Sequence, residues 1–514
     1  MTGPIELWVK LLLSLLAAVV VARSGSRKKS SRRAGLVLSL LAIAAALAYY
    51  NLGAFHGPNL LHYGELFHYN LGAKYFPELG YDGLYAASVE AQLASRPDLP
   101  LQRAMRDLRT NTIVPTATLA EHRREVRARF APERWRRFVA DHQVFLQPGP
   151  FARLADFRLD HGYNPTPAWT FVGRLFAAWL PTTEDNLKLL VALDAVLLAF
   201  AFIAVYKSFG ARTAALALIV FGLGYAWRFT WVGGAFLRQD WLVAVVIGVC
   251  MLERERFALA GGLFAYAAAV RLFPILFLLG LVVVGVRLLA RRENVRPIAR
   301  FALGFAAMLV LCFVAGSLTG RGPAAWEQFR QKIALHRVNW STNSAGLELV
   351  FLTTPQMMTS RLPATLPLAK RFALWQEIMN RLQRERRPFF LLAAAALLLM
   401  VVGASWRAAP GRAAAFGVVS VFALLVLSCY YWAMLLVVPL RERGFVVPGL
   451  LTLNAGLYAF ELGHAPTELT FGIMSWGLTA LFLAWLLPDV VASVRPERPA
   501  LTRRQSTART ASTK

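Results

Sequence analysis

An acidic and aromatic segment stands where a long apolar run ends. Residues 35–52 are almost wholly hydrophobic and pass directly into HGPNLLHYGELFHYNLGAKYFPELGYDGLY at 56–85. Glu65 is thereby set at the edge of an apolar medium and within reach of water, where a carboxylate can take a proton from a reacting hydroxyl. Plainer roles are open as well: Glu65 can cap a helix or pair with Lys74, and Glu78 and Asp82 offer other acids close by. His56, His62 and His68 recur at intervals of six, which is not a one-face helical spacing. No metal site is expected from them, and hydrogen bonding to a ligand or to the loop itself is the reading preferred.

The elements that position this segment are membrane helices. The chain has 514 residues, of which 57% are hydrophobic, and apolar runs long enough to cross a bilayer, about 17–25 residues, recur along it. The expected fold is an all-α polytopic membrane protein. The formal charge of +27 comes from 56 Lys and Arg against 29 Asp and Glu. The arginines sit largely between apolar runs and in the tail, where loop charge sets topology, so no nucleic-acid partner is expected. Cys250, Cys312 and Cys429 all lie in apolar stretches and read as small core residues. The first run, about 5–22, has no basic segment before it and no small-residue cleavage site after it, and reads as a retained helix.

Charge then orients the spans. RSGSRKKSSRR at 23–33 carries six basic residues and no acid, which places it in the cytoplasm and the N-terminus outside. Further spans are expected at about 187–206, 212–228, 236–252, 257–270, 273–289, 301–319, 389–405, 413–428, 430–440, 446–463 and 468–488, roughly thirteen crossings in all. The connectors YKSFGAR, ERER, RRENVRPIAR, WRAAPGR and RERG, and the tail with Arg503, Arg504 and Arg509, then all fall inside. Six regions follow: helices over 1–52, an outer loop over 53–185, central spans over 186–319, a second outer loop over 320–388, C-terminal spans over 389–490, and a basic tail over 491–514. Breaks at Arg271–Pro274 and at SCYYW (428–432) interrupt two apolar runs. Such breaks are tolerated at membrane depth only where protein or a water-filled cavity covers them, so both point to one outward-facing cavity. Asp194 lies well inside a span and must face the bundle interior. In the first outer loop, Val126, Phe130, Trp135, Phe138 and Val139 share a helical face amid arginines. Two readings stay open for that helix: it lies on the membrane surface, or it packs on the rest of the loop.

No Walker loop, nucleotide-binding glycine pattern, HExxH or paired CxxC occurs in a setting that would give it meaning; no cofactor is expected, and ATP-driven transport loses support. The blocks at the outward helix ends do form a recognisable series. ELFHY (Glu65, Tyr69) is followed by ELGYDGLY (Gly80 to Tyr85), then YNPTPAWTFVGRLFAAWLP at 163–181. Next comes GGAFLRQDWLVAVVIGVCMLERERFALAGGLFAYAAAVRLFP, with Gln239, Arg271 and Pro274. STNSAGLELVF, with Asn343 and Ser344, and SCYYWAMLLVVPL, with Trp432, close the series. In order and placement these blocks resemble the GT-C superfamily of integral-membrane glycosyltransferases, in particular the bacterial polyprenyl-phosphate-mannose-dependent α-mannosyltransferases. The resemblance spans about 35–440. Glu65 stands where that group usually has Asp, Arg271 where Lys is common, and the stretch between Tyr85 and Tyr163 is longer than usual.

The resemblance implies a GT-C-like bundle of roughly 11–13 transmembrane helices in the inner (plasma) membrane, serving the cell envelope. It implies inverting transfer of a hexose, mannose in the first instance, from a polyprenyl-phosphate sugar to an acceptor hydroxyl on the outer face. The acceptor is a glycan, a lipid or a protein. Glu65 is then the general base, and Arg271, Arg238 and Arg228 neutralise the leaving lipid phosphate. Tyr69, Gln239, Asp240, Asn343 and Trp432 hold the sugar. Membrane lipids surround the whole, and neither a metal nor a nucleotide is called for. Two other classes remain beside this one: a transporter or flippase of a lipid-linked or anionic solute, and a non-catalytic subunit of GT-C-like form. An inverted repeat would favour the first, and none is visible.

Overall fold

The computed structural model describes residues 3–25, 32–57, 59–146, 154–336, 340–441 and 444–494. Most of the basic segment at 23–33, part of RERG and the tail arginines Arg503, Arg504 and Arg509 lie outside the described residues.

The chain is overwhelmingly helical, with two short antiparallel ribbons, Ala104–Asp107 on Thr112–Pro115 and Ser344–Ala345 on Leu427–Ser428. Among the described residues, six helices are long and apolar enough to cross a membrane, and five shorter apolar helices accompany them. This is the composition of a polytopic membrane protein. Side chains such as Leu12, Leu189, Leu303, Val310 and Leu392 point outward from these helices, as lipid-facing residues do.

The runs at 187–206 and 212–228 form two helices within Glu184–Gly222, parted at Gly210, where the backbone leaves helical geometry (φ 84°, ψ 172°). One expected span is altered in a way that matters. The run at 389–405 begins far earlier: Leu368–Trp406 is one helix containing Pro388, so the basic stretch ending RLQRERR continues a membrane helix. The two anticipated breaks are present. The Phe257–Arg271 helix stops at Leu272, which has φ 33°, and the chain resumes at Phe273. Residues 425–428 are not helical, and Leu427–Ser428 pair with Ser344–Ala345.

The basic connectors gather at one end. Arg212 donates to Ser24, Arg287 to the Trp406 carbonyl and Arg412 to Asp489, and Arg441 pairs with Glu253. The two large hydrophilic segments meet each other at the other end, through Arg321 donating to the Phe76 and Glu78 carbonyls and Asn111 to the Leu335 carbonyl. This separation is the one the charge distribution anticipates.

The arginine-rich helices Ala120–Ala128 and Pro132–His142 do not offer an apolar face to a membrane. Val126 and Phe138 are fully buried, Phe130 and Trp135 nearly so, and Val139 packs against the same core. Tyr75 stacks edge-on to Phe138 at 5.0 Å. The packed reading holds because the loop supplies its own aromatic core, which leaves that stripe no surface to give to lipid.

Close helix approach carries Arg271 to its place. A Cβ on Gly261 would stand 2.0 Å from the Phe301 carbonyl oxygen, and one on Gly304 would stand 2.0 Å from that of Ala258. Helices Phe257–Arg271 and Arg296–Ser317 therefore touch backbone to backbone, the contact that small residues permit in a membrane. Gly261→Val is expected to lower the melting temperature in detergent by several degrees, whereas Gly456→Val, with nothing within 4 Å of the added atom, leaves it unchanged. Equal melting temperatures for the two variants would contradict this packing.

Candidate active site

A loop laid on a loop brings Glu65 to its partners. His62 donates its backbone N–H to the Gly234 carbonyl at 2.9 Å, and His56 Nε2 bonds the Gly233 carbonyl at 2.7 Å. Gly234 has φ +70°, and a Cβ there would stand 1.9 Å from the Leu60 carbonyl oxygen, so only glycine fits. The short helix Tyr63–Leu66 follows, its start capped by His62 Nδ1, which accepts from the Glu65 N–H at 3.2 Å. A π-helical turn over Phe67–Leu71 then rotates Tyr69 toward the membrane helices.

Asp194 organises the opposite wall. Its carboxylate accepts from the backbone N–H of Arg238 at 2.9 Å and of Gln239 at 3.2 Å, at the start of the Asp240–Glu253 helix. This is the partner that a carboxylate inside a span requires. Leu237 precedes it with φ 48°, a strained position for a branched side chain. The turn aims Arg238 at Glu65: Nε lies 3.0 Å from Oε2, as an ion pair, with the arginine side chain 2% exposed and the glutamate 19%. The Arg238 guanidinium lies over the Tyr69 ring at 4.3 Å and the Tyr430 ring at 5.0 Å.

Arg271 comes in from the end of its broken helix. It sits 5.8 Å from the Tyr69 ring and 5.7 Å from that of Trp169. Thr166 caps the helix bearing Trp169, and the indole N–H donates to the Leu237 carbonyl at 3.0 Å. The Tyr69 hydroxyl donates to Asn164 at 3.0 Å. Asp240 accepts from Tyr266 at 3.0 Å, tying its helix to that of Arg271, and its other oxygen accepts from the Trp241 N–H. Among the described residues, Arg238 Nη1 and Arg271 Nε and Nη2 are buried without a hydrogen-bond acceptor. Three cationic N–H groups are thus left open beside one carboxylate, in a place where unsatisfied charge is costly.

The structure brings Glu65, Tyr69, Arg238, Asp240 and Arg271 together, and Gln239 adjoins them through its backbone N–H on Asp194. Three expected residues stand elsewhere. Arg228 is held by Glu461 at 2.5 and 2.9 Å, between Tyr225 and Trp231; its fork is filled. Trp432 is fully buried against Phe422, with ring centroids 5.5 Å apart, and faces the core. Asn343 turns its side chain to Ser341 and the Cys429 sulfur and accepts from the Cys429 N–H at 2.7 Å, which anchors the segment leading to Tyr430. Glu65 does not pair with Lys74, which is held by Asp141 at 2.7 Å. Tyr430, Trp169 and Asn164 were not singled out from the sequence, although each lies inside a block noticed there. Tyr431, against Trp241 and Phe273, belongs with them. His62 and His68 bond their own loop, His68 bridging the Gly64 carbonyl and the Tyr85 hydroxyl, and His56 bonds the facing loop at Gly233; among the described residues no group of ligands could hold a metal.

Compared with protein-family models, curated proteins and solved structures, the chain matches none.

His62 can cap the Glu65 helix only while neutral. Burial pushes His56 and His62 down to about 4, with the His62 ring also opposing charge on His56, and burial drives the His142 ring well below its usual range. Between the ordinary value near 6.5 and about 4, the unfolded chain binds protons that the folded one refuses. The stability these groups contribute is complete above about pH 6.5 and is lost as pH falls toward 4. The melting temperature is expected to drop across that window, and His62→Asn, which keeps a cap, to flatten the dependence. An identical profile in the variant would remove His62 as a contributor.

Proposed function

We propose that the chain transfers a hexose, mannose in the first instance, from a polyprenyl-phosphate sugar to an acceptor hydroxyl on the non-cytoplasmic face. The observation that carries the reading is the pair of buried guanidiniums, Arg238 and Arg271, with three unsatisfied N–H-bearing nitrogens next to the Glu65 carboxylate. A sugar phosphate satisfies both sides of that arrangement. Its phosphate accepts from the guanidiniums, which neutralise the charge growing on the leaving group. The acceptor hydroxyl gives its proton to Glu65 as its oxygen forms the new bond to the anomeric carbon and the carbon–phosphate-oxygen bond breaks on the opposite side. Tyr430, which is only partly buried, supplies a ring on which a sugar can stack, and Tyr69 and Trp169 back the two guanidiniums. Since the phosphate is already a leaving group, the reaction requires no nucleotide. The two breaks at Leu272 and at 425–428 open this corner to lipid-borne substrate without drawing the polyprenyl chain from the bilayer.

A flippase for an anionic lipid would use the same arginines and the same breaks, yet it has no need of a base beside them. The two readings separate on Glu65→Gln. In reconstituted membranes with labelled polyprenyl-phosphate mannose and envelope extract, transfer should fall about 10²–10⁴-fold while donor binding persists. Full transfer by the variant would remove Glu65 as base, and label crossing the bilayer without reaching any acceptor would favour translocation. Arg271→Ala should weaken donor binding strongly, and Arg238→Lys, which keeps charge but loses the fork, should weaken it less; unchanged affinity in both would remove the phosphate assignment.

A further inference from the structure

Away from Glu65, the two large hydrophilic segments enclose an open cleft of about 760 Å³, lined by Arg109, Arg129, Arg321, Gln328, Gln331 and Lys332, with Tyr81 and Asp82 on its walls. Its charges are unevenly matched. Arg109 is paired with Asp107 at 2.9 Å and Arg129 with Asp82 at 3.1 Å. Arg321 bonds only neutral oxygens, the Phe76 and Glu78 carbonyls and the Gln328 amide. Lys332 is 3% exposed, and its ammonium has no hydrogen-bond acceptor among the described residues. A lysine this buried ordinarily has a partner. Packed rings stand between the cleft and the Glu65 site, Tyr81 stacked on Tyr163 at 5.9 Å and Tyr163 meeting Tyr69 at 6.3 Å.

We infer that this cleft binds an anionic carbohydrate, with Lys332 and Arg321 receiving its carboxylate or phosphate and Gln328 and Gln331 its hydroxyls. The amides and the tyrosine wall suit a hydroxylated ring, and the two cations without a carboxylate partner select a charged one. Taken with the transferase reading, on which this step rests, the bound sugar is the remote part of an extended acceptor whose reacting end reaches Glu65. The binding itself does not depend on transfer.

Lys332 faces Arg106, Asp82, Asp107, Asp160 and His161. Burial, with Arg106 next, holds it down to about 8, so it is charged at neutral pH and loses its proton as pH rises past that value.

The test uses the full chain in nanodiscs, with tetragalacturonate as the carboxylate probe, mannose 6-phosphate as the phosphate probe and maltotetraose as the neutral one. Either charged probe is expected to bind and the neutral one to bind at least tenfold more weakly. Lys332→Met should weaken the charged probe at least tenfold, and raising the pH from 7 to 9.5 should do the same to the parent but not to the variant. Lys332→Met removes a buried unpaired cation, so its melting temperature without ligand should be unchanged or higher; if it misfolds, Arg321→Gln gives the same reading. Equal affinity for charged and neutral probes, or for parent and both variants, overturns the proposal. Glu65→Gln should bind as the parent does, so a loss of transfer there with binding kept separates failure of this inference from failure of the transferase reading.

Discussion

The ion pair between Glu65 and Arg238 joins two parts of the molecule that differ in solvent. Glu65 belongs to a loop beyond the end of an apolar helix, and Arg238 to a turn capped by Asp194 from inside another. At 3.0 Å and an effective dielectric near 20, the attraction is of order 5 kcal/mol, while withdrawing each ion from water costs several kcal/mol. The net stabilisation is therefore small, but loss of either partner strands a buried charge. That asymmetry makes the pair a positional constraint more than a source of stability. Tyr69 lies under both guanidiniums, and its own place follows from the π-helical turn that begins two residues after Glu65.

Strain sits beside both cations. Leu237 precedes Arg238 and Leu272 follows Arg271, each with positive φ, a conformation that non-glycine residues hold only when surrounding contacts impose it. The neighbouring contacts are identifiable: Asp194 on one side, with Trp169 donating to the Leu237 carbonyl, and on the other Phe273, directly after Leu272, packed against Trp241 and Tyr431. Each arginine thus sits at a point where a helix starts or stops.

The membrane class and the break at 271–274 were legible because apolar length and interruption are one-dimensional signals; the second break falls at 425–428, just ahead of the SCYYW stretch expected to carry it. The convergence of Glu65, Tyr69, Arg238 and Arg271 was readable because each lies near the end of an apolar run. What escaped was pairing across distance. Glu461 fills the fork of Arg228 from far along the chain, and nothing local announces it. Asp194 binds backbone N–H groups, which leave no trace in residue type. Trp432 faces the core while Tyr430, two positions earlier, lies against Arg238, in a stretch that is extended at first and then a tight 3-10 turn, where helical spacing gives no guide to facing. The arginine-rich helices carried a stripe compatible with lipid or protein, and only the aromatic residues of the same loop decided between them.

The helix Leu368–Trp406 does not end where its apolar half ends. Its polar half holds the 340–357 segment through Trp375 bonding the Met357 carbonyl and through Gln376 bonding Trp340 at both backbone groups. That segment in turn is stitched by its ribbon to Leu427–Ser428, two residues before Tyr430. The cover over the guanidiniums is consequently mounted on a mast rooted in the bilayer, and a tilt of that mast, as in a thinner or thicker membrane, would be transmitted to the ring that lies against Arg238.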